Sequence, residues 1–177
     1  MKGKNKMGDM ARRISKTDVN DLIKTLNEAY AEEWLAYYQY FIGAKLAQGI
    51  LRPSVVEEFE EHAKEEYEHA QMLADRIIEL GGTPIINFDD LSKIAKCKYE
   101  APIKEDTVSL INQNLDAERC AVGRYQGICD MTSGKDYVTF NLARHILKEE
   151  IEHEQEMEDF LKDISTAKNY YNDHQSN

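Results

Sequence analysis

The sequence predicts an all-α protein, a four-helix bundle with one long crossover between its second and third helices. Three observations predict this fold. Four segments repeat apolar residues at steps of three and four, the links within each pair of segments are short, and the link between the pairs covers roughly 81–104. Such steps place apolar side chains on one helix face, and short links make antiparallel hairpins. A chain of 177 residues with 42% apolar side chains can bury one such core.

The first predicted hairpin joins helices over about 18–48 and 53–80. Thr17 is the expected N-cap of the first helix, and Gly49 is expected to end it. Pro53 suits the first turn of the second helix, where a missing backbone N–H has no cost. Both segments therefore have start and stop signals that agree with their apolar periodicity.

The second predicted hairpin joins helices over about 105–131 and 137–166, with Asp136 as the expected cap of the last helix. The crossover before it is long enough to run the full length of the bundle, and residues 88–96 could form a short helix within it. Long crossovers of this kind distinguish some four-helix bundles from simple up-and-down bundles.

The formal net charge of −11 is unevenly distributed along the chain. The first 16 residues carry six basic side chains and one acidic one, so we expect a basic, flexible N-terminal tail over 1–16. The bundle is expected over 17–166, followed by a polar tail over 167–177. An acidic body attracts cations and repels nucleic acid, so only the tail suits DNA, and a solvated arm is the favoured interpretation.

The sequence favours a cytoplasmic location. Its apolar stretches fall far short of the roughly 20 residues that a membrane-spanning helix needs. The basic N-terminus has no apolar region typical of a secretory signal. Three cysteines, an odd number, argue against a secreted disulfide scaffold.

Six ionisable side chains occupy core-facing positions near the helix midpoints, where apolar residues are expected. They are Glu33, Glu66, His69, Glu118, Glu150 and His153. Burying four carboxylates together is costly unless cations neutralise them, and two divalent metal ions would balance their charge. The six are therefore candidate metal ligands and candidate catalytic residues.

The spacing of these residues is typical of a di-iron carboxylate site. Glu-x-x-His, which places both side chains on one helix face, occurs at Glu66–His69 and again at Glu150–His153. One further Glu from each of the other two helices completes the pattern. Oxygen and nitrogen ligands suit iron, and manganese or zinc could substitute for it.

The sequence also resembles a known family. Leu26-Asn27-Glu28, Glu33 and Gln39-Tyr40-Phe41 are similar to the first helix of bacterioferritins. Over roughly 18–166 the chain is most similar to the Dps-like proteins called thioferritins. This resemblance implies a ferritin-like bundle in which Glu33 and His69 hold one iron, Glu118 and His153 hold the other, and Glu66 and Glu150 bridge the two.

Two cysteine segments belong to the same resemblance. Ala95-Lys96-Cys97-Lys98-Tyr99 and Glu118-Arg119-Cys120-Ala121 look like the two cysteine motifs of thioferritins. The resemblance implies that Cys97 and Cys120 lie beside the di-iron site as a redox pair, with a reduced structural pair as the alternative. Whether they form a disulfide stays open. Cys129 lies on the apolar face and is expected to be a buried core thiol.

The resemblance implies a twelve-subunit cage that oxidises Fe(II), preferably with H₂O₂ but alternatively with O₂, and stores ferric mineral. Tyr67 replaces the haem-binding Met of bacterioferritins, so no haem is expected. The chain ends soon after the fourth helix, which favours the smaller cage. Two alternatives remain: a di-iron or di-manganese oxidase or catalase without storage, and a DNA-protecting protein that binds through its basic tail.

Three further polar residues lie on the same apolar faces. Tyr40 and Tyr125 each follow a candidate ligand Glu by seven residues. Core packing is the favoured interpretation of both, and a hydrogen bond to a ligand or an electron relay is the alternative. His62, one turn before Glu66, could be a ligand near a channel, although a satisfied core or surface histidine is favoured.

Overall fold

The computed structural model describes residues 8–175, and four long helices dominate it. The helices are α1 (Asp9–Ile14), α2 (Val19–Leu46), α3 (Arg52–Glu79), α4 (Leu91–Ile94), α5 (Thr107–Thr132) and α6 (Tyr137–Gln175), with a 3-10 turn over Phe88–Asp90. α2 packs along α3, and α5 packs along α6. The predicted all-α four-helix bundle with a long crossover is confirmed. No helix within the described range is long and apolar enough to cross a membrane.

Aspartate side chains cap both α2 and α6. Asp18, rather than the predicted Thr17, caps α2, because the Thr17 hydroxyl is 2.7 Å from the Ser15 hydroxyl instead. Asp136 caps α6 as predicted and accepts a 3.0 Å bond from the backbone N–H of Thr139. A carboxylate at this position satisfies a backbone donor that has no partner within the helix.

Both chain ends differ from the predicted tails. Residues 9–14 form α1 instead of a flexible arm, because the Arg12 guanidinium donates 2.9 Å and 3.1 Å bonds to the Leu80 carbonyl and the Asn20 side chain. The basic residues Lys2, Lys4 and Lys6 of the predicted tail lie outside the described residues. At the other end α6 continues nine residues beyond Thr166, the predicted end, since no Gly or Pro interrupts it.

Two apolar clusters fill the bundle and leave a polar layer between them. One cluster includes Leu22, Leu26, Leu73, Ile77, Ile128 and Ile146. The other includes Val55, Phe59, Leu110, Ile111 and Met157. A third, smaller cluster packs Leu91 and Ala95 of the crossover against Ala31 of α2. The polar layer at mid-bundle contains the six candidate ligands.

Candidate metal centre

The four long helices bring all six candidate ligands into one buried cluster. Two overlapping groups of side chains have donor atoms within 4.8 Å of one another: Glu33, Glu66, His69 and Glu150, and Glu66, Glu118, Glu150 and His153. Each of the six side chains is at most 3% exposed. Glu66 and Glu150 belong to both groups, so the arrangement offers two adjacent cation positions with two shared carboxylates.

Each histidine turns one ring nitrogen toward the cluster. Nδ1 of His69 lies 3.2 Å from Glu150, 3.3 Å from Glu66 and 3.4 Å from Glu33. Nδ1 of His153 lies 3.6 Å from both Glu66 and Glu150 and 3.8 Å from Glu118. The two rings therefore present equivalent atoms to the two groups, as paired nitrogen ligands would.

The outward nitrogens of the same rings meet two carboxylates that lie outside the six predicted ligands. Nε2 of His69 is 2.9 Å from Glu149, and Nε2 of His153 is 2.9 Å from Glu65. A carboxylate on the far nitrogen fixes the tautomer and orientation of a metal-binding imidazole. The sequence does contain a sign of these contacts: in both motifs a second glutamate, Glu65 or Glu149, immediately precedes the ligand Glu66 or Glu150.

Two buried tyrosines hold the remaining carboxylates. The Tyr40 hydroxyl donates to Oε1 of Glu118, and the Tyr125 hydroxyl donates to Oε1 of Glu33. Each tyrosine thus bonds the candidate ligand of the opposite hairpin. The sequence favours a core-packing role for both tyrosines. That role describes their rings only, since their hydroxyls also orient two of the four carboxylates.

The electrostatics of the cluster show how its negative charge is balanced by protons. Burial, helped by the charge of Glu66, raises the pKa of Glu33 to about 8, and burial raises the pKa of Glu150 to about 7. Burial also acts to raise the pKa of Glu118, but the neighbouring His153 outweighs it and the pKa falls below its usual value. Protons therefore occupy a site whose four carboxylates would otherwise repel one another.

The two histidines hold protons for a related reason. Burial would lower the pKa of His69, but the neighbouring carboxylates of Glu150, Glu33 and Glu66 outweigh it and the pKa rises well above its usual value. The pKa of His153 rises in the same way. Divalent cations could replace these protons and neutralise the carboxylates directly.

Several oxygen and nitrogen atoms that could bind a metal are buried in the cluster without a hydrogen-bond partner. They are Oε2 of Glu33, Oε1 of Glu66, both carboxylate oxygens of Glu150 and Nδ1 of His153. Buried polar atoms are rarely left unpaired, and a bound ion is one explanation when they are. The residues present therefore fit iron ions, since the oxygen and nitrogen atoms that need partners face the two shared cation positions.

A disulfide lies beside the cluster and links the crossover to α5. Cys97 and Cys120 are bonded, with their Cα atoms 5.8 Å apart, while Cys129 is a free, buried thiol. A cavity of about 30 Å³ lies between this disulfide and the carboxylates of Glu33, Glu66 and Glu118. The pair thus stands next to the candidate centre, as the family resemblance implies.

Glu32 on α2 anchors the cysteine segment. Its carboxylate accepts bonds from the backbone N–H groups of Lys96 and Cys97, at 2.8 Å and 3.2 Å, and pairs at 2.7 Å with Arg124 of α5. Glu32 lies off the apolar stripe, so helix periodicity does not predict its role. Its neighbour Glu33 points into the cluster, so two adjacent carboxylates serve the disulfide and the candidate centre.

Comparisons with known proteins identify the family of the chain. A model of the ferritin-like domain matches residues 23–167. A DNA protection during starvation protein from Pyrococcus furiosus is 39% identical over 145 residues, which cover 81% of this chain and 78% of that protein. A bacterial ferritin from Neisseria meningitidis is 30% identical over 156 residues, which cover 85% of this chain and 94% of that protein.

Solved structures show the same relationship. A dodecameric thioferritin, the bacterioferritin-related protein from Bacteroides fragilis, is 53% identical with a TM-score of 0.87, over 88% of this chain and 93% of that one. Dps from Thermosynechococcus elongatus shares the fold, with a TM-score of 0.77. It is 20% identical, and the match covers 80% of this chain and 90% of that one. The predicted resemblance to Dps-like thioferritins is confirmed. The family generally supports iron storage and ferroxidase-type chemistry, and this chain belongs to the ferritin-like family.

Proposed function

We propose that this protein is a ferroxidase that oxidises Fe(II) at a di-iron centre within each subunit. Glu33 and His69 hold one iron, Glu118 and His153 hold the other, and Glu66 and Glu150 bridge them. The observation that carries the proposal is the overlap of the two donor groups, which share Glu66 and Glu150. A buried cluster with unpartnered carboxylate oxygens supports a cation pair better than it supports a structural hydrogen-bond network.

The proposed oxidant is H₂O₂, which takes one electron from each of two Fe(II) ions. The O–O bond breaks, two protons are consumed, and two Fe(III) ions and two water molecules form. The small cavity between the disulfide and Glu66 supports an oxidant of about the size of water, a description that O₂ also meets. The ratio of iron oxidised to H₂O₂ consumed distinguishes the two oxidants.

The chain's own groups hold and orient the substrate ions. Tyr40 and Tyr125 fix one oxygen each of Glu118 and Glu33, which leaves the other oxygen of each carboxylate for iron. Glu149 and Glu65 orient the two imidazoles. This preorganisation keeps the ligand geometry unchanged while the charge of the ions rises from two to three.

We further propose that twelve subunits form a cytoplasmic cage that stores the ferric product, as the dodecameric relative from Bacteroides fragilis supports. An oxidase or catalase without storage is the competing function. Native mass spectrometry and electron microscopy after iron loading separate the two, because only a storage cage gains an electron-dense mineral core.

The test of the centre is anaerobic loading with Fe(II), followed by one addition of H₂O₂ and spectroscopic detection of Fe(III). We expect Glu66→Ala and Glu150→Ala to abolish rapid oxidation while assembly persists. Glu68→Ala and Glu152→Ala are matched controls, because each lies two residues further along the same motif with an exposed side chain. Wild-type rates in both bridging variants would overturn the proposal.

DNA protection is a second candidate, favoured by the relative from Pyrococcus furiosus. Arg12 is held against the bundle by two hydrogen bonds, whereas Arg13 and Lys16 are exposed, so DNA binding through the tail would depend on Lys2, Lys4, Lys6, Arg13 and Lys16. A gel shift that weakens steeply with salt and disappears when residues 1–7 are removed and Arg13 and Lys16 are changed to Ala would establish this function. An unchanged shift in that variant, or no shift by the wild type, would exclude the tail.

A further inference from the structure

His62 lies outside the six-residue centre but directly against it. Its side chain is 2% exposed, and its ring stacks on His153 with the ring centroids 4.1 Å apart. Nε2 is 2.9 Å from Glu156 and 3.5 Å from Glu58, whereas Nδ1 is buried without a hydrogen-bond partner. The favoured interpretation from the sequence, a satisfied histidine, therefore describes only one of its two nitrogens.

His62 is shared by two groups of possible metal donors. With Glu118 and His153 it forms a fully buried group whose donor atoms lie within 4.8 Å of one another. With Glu58 and Glu156 it forms a second group that reaches the surface, since the Glu156 side chain is 48% exposed. One imidazole thus connects the proposed centre to solvent-accessible carboxylates.

The other half of the bundle lacks this connection. When the Glu66 motif on α3 is aligned with the Glu150 motif on α6, His62 and Glu58 correspond to Ile146 and Leu142. In the same alignment Glu156 corresponds to Met72. All three counterparts are apolar and pack in or against the core cluster on that side. The polar group is therefore a specific addition to one side of a nearly symmetric centre.

The second group lies at a strongly acidic opening. A cleft of about 340 Å³ between α3 and α6 is lined, among the described residues, only by glutamate and histidine side chains, with His153 among them. A cleft lined by one sign of charge concentrates counter-ions, in this case cations. Fe(II) that enters there would reach Glu58, Glu156 and His62 next to the Glu118–His153 half of the centre.

We propose that Glu58, His62 and Glu156 form a third divalent-cation site, which passes Fe(II) between the acidic cleft and the half of the centre that contains Glu118 and His153. The transfer is an exchange of ligands without a change of oxidation state. This inference rests on the proposed di-iron centre as the destination of the ion. It assigns different roles to the two iron positions, because only one of them adjoins a transfer site.

The test uses Co(II), which does not oxidise under anaerobic conditions, with the full-length assembled protein. Glu156→Gln removes the outer carboxylate charge, and His62→Ile installs the side chain found at the corresponding position on α6. Glu152→Gln is the matched control, because Glu152 lines the same cleft but pairs with Lys148 at 2.6 Å. Equilibrium titration counts bound ions, and anomalous diffraction at the cobalt edge locates them.

We expect the wild type and Glu152→Gln to bind a third, weaker Co(II) between Glu58, His62 and Glu156. Glu156→Gln and His62→Ile should keep the two central ions, lose the third, and load the centre with Fe(II) about 10-fold more slowly in stopped-flow mixing. Two central ions without a third, together with equal loading rates in Glu156→Gln and Glu152→Gln, would overturn this inference alone. Absence of any ion at Glu66 and Glu150 would instead overturn the proposed function.

Discussion

Nε2 of His69 on α3 lies 2.9 Å from the carboxylate of Glu149 on α6, one residue before the shared ligand Glu150. The reverse contact has the same length, since Nε2 of His153 on α6 meets Glu65 on α3, one residue before Glu66. Each motif therefore supports the histidine of the other. The positions of the two imidazoles are therefore coupled, because each imidazole contacts a carboxylate on the other helix.

Removing the carboxylate of Glu149 or Glu65 should weaken metal binding mainly at the iron position whose histidine that carboxylate contacts. We expect Glu149→Ala to weaken the ion held by His69, and Glu65→Ala the ion held by His153, by about 10-fold to 100-fold. Competition titration with Co(II) measures both affinities. Glu152→Ala serves as the control, and equal affinities in all three variants would contradict the role of these contacts.

Metal binding should release protons and strengthen as the pH rises. The pKa of Glu33 is raised to about 8, and the pKa values of His69 and His153 are raised above their usual range, so all three hold protons at neutral pH without metal. Divalent cations must displace these protons. Apparent affinity should therefore increase between about pH 6 and about pH 8, and calorimetry in buffers of different ionisation enthalpy should show proton release. Affinity that is independent of pH would contradict this protonation pattern.

Reduction of the disulfide should destabilise the crossover without unfolding the bundle. Cys97 and Cys120 are 23 residues apart, and closing a loop of that length is worth about 3 kcal/mol in the chain-entropy model. We expect the double variant Cys97→Ser/Cys120→Ser to show faster hydrogen exchange in the crossover and a lower denaturation midpoint. Reductant should shift the wild type to the same midpoint and leave the double variant unchanged. A wild type insensitive to reductant would contradict the disulfide's contribution.

The buried ion pair at one end of the bundle should be more important to stability than the surface pairs. Arg76 is 4% exposed and donates to both oxygens of Asp136 at 3.1 Å and to the Thr139 hydroxyl at 2.8 Å. Arg76→Leu leaves the buried carboxylate of Asp136 without its cationic partner, which should cost about 3–5 kcal/mol. Denaturant unfolding measures this loss. Lys148→Leu, which breaks an exposed pair with Glu152, is the control and should cost at most about 1 kcal/mol.

The sequence predicts the bundle and the six central residues because both depend on position along single helices. Steps of three and four place Glu33 and Glu118 on the same faces as the apolar residues around them, and Glu-x-x-His fixes its two side chains on one face. The buried positions of all six follow from that periodicity. The family resemblance, and not periodicity, predicts that Cys97 and Cys120 lie together, since helix periodicity cannot relate the crossover to α5; whether they are bonded is left open by the sequence.

The carboxylates that contact the histidines, the first short helix and the tyrosine hydroxyl bonds all depend on contacts between helices. The periodicity of single helices does not predict such contacts. Glu65 and Glu149 lie beside the apolar stripes, and their function depends on how closely α3 approaches α6. Formation of α1 depends on Arg12 reaching the carbonyl of Leu80, 68 residues away along the chain. The Tyr40 and Tyr125 hydroxyls likewise find partners on helices other than their own.

The di-iron centre can be located by anomalous diffraction at the iron edge from crystals loaded anaerobically with Fe(II). We expect two iron peaks per subunit, with Glu66 and Glu150 contacting both and one imidazole contacting each. The same crystals of Glu66→Ala should lose this paired arrangement. An empty cluster in the loaded wild type, or iron bound only at surface carboxylates, would show that the six buried residues are not an iron site.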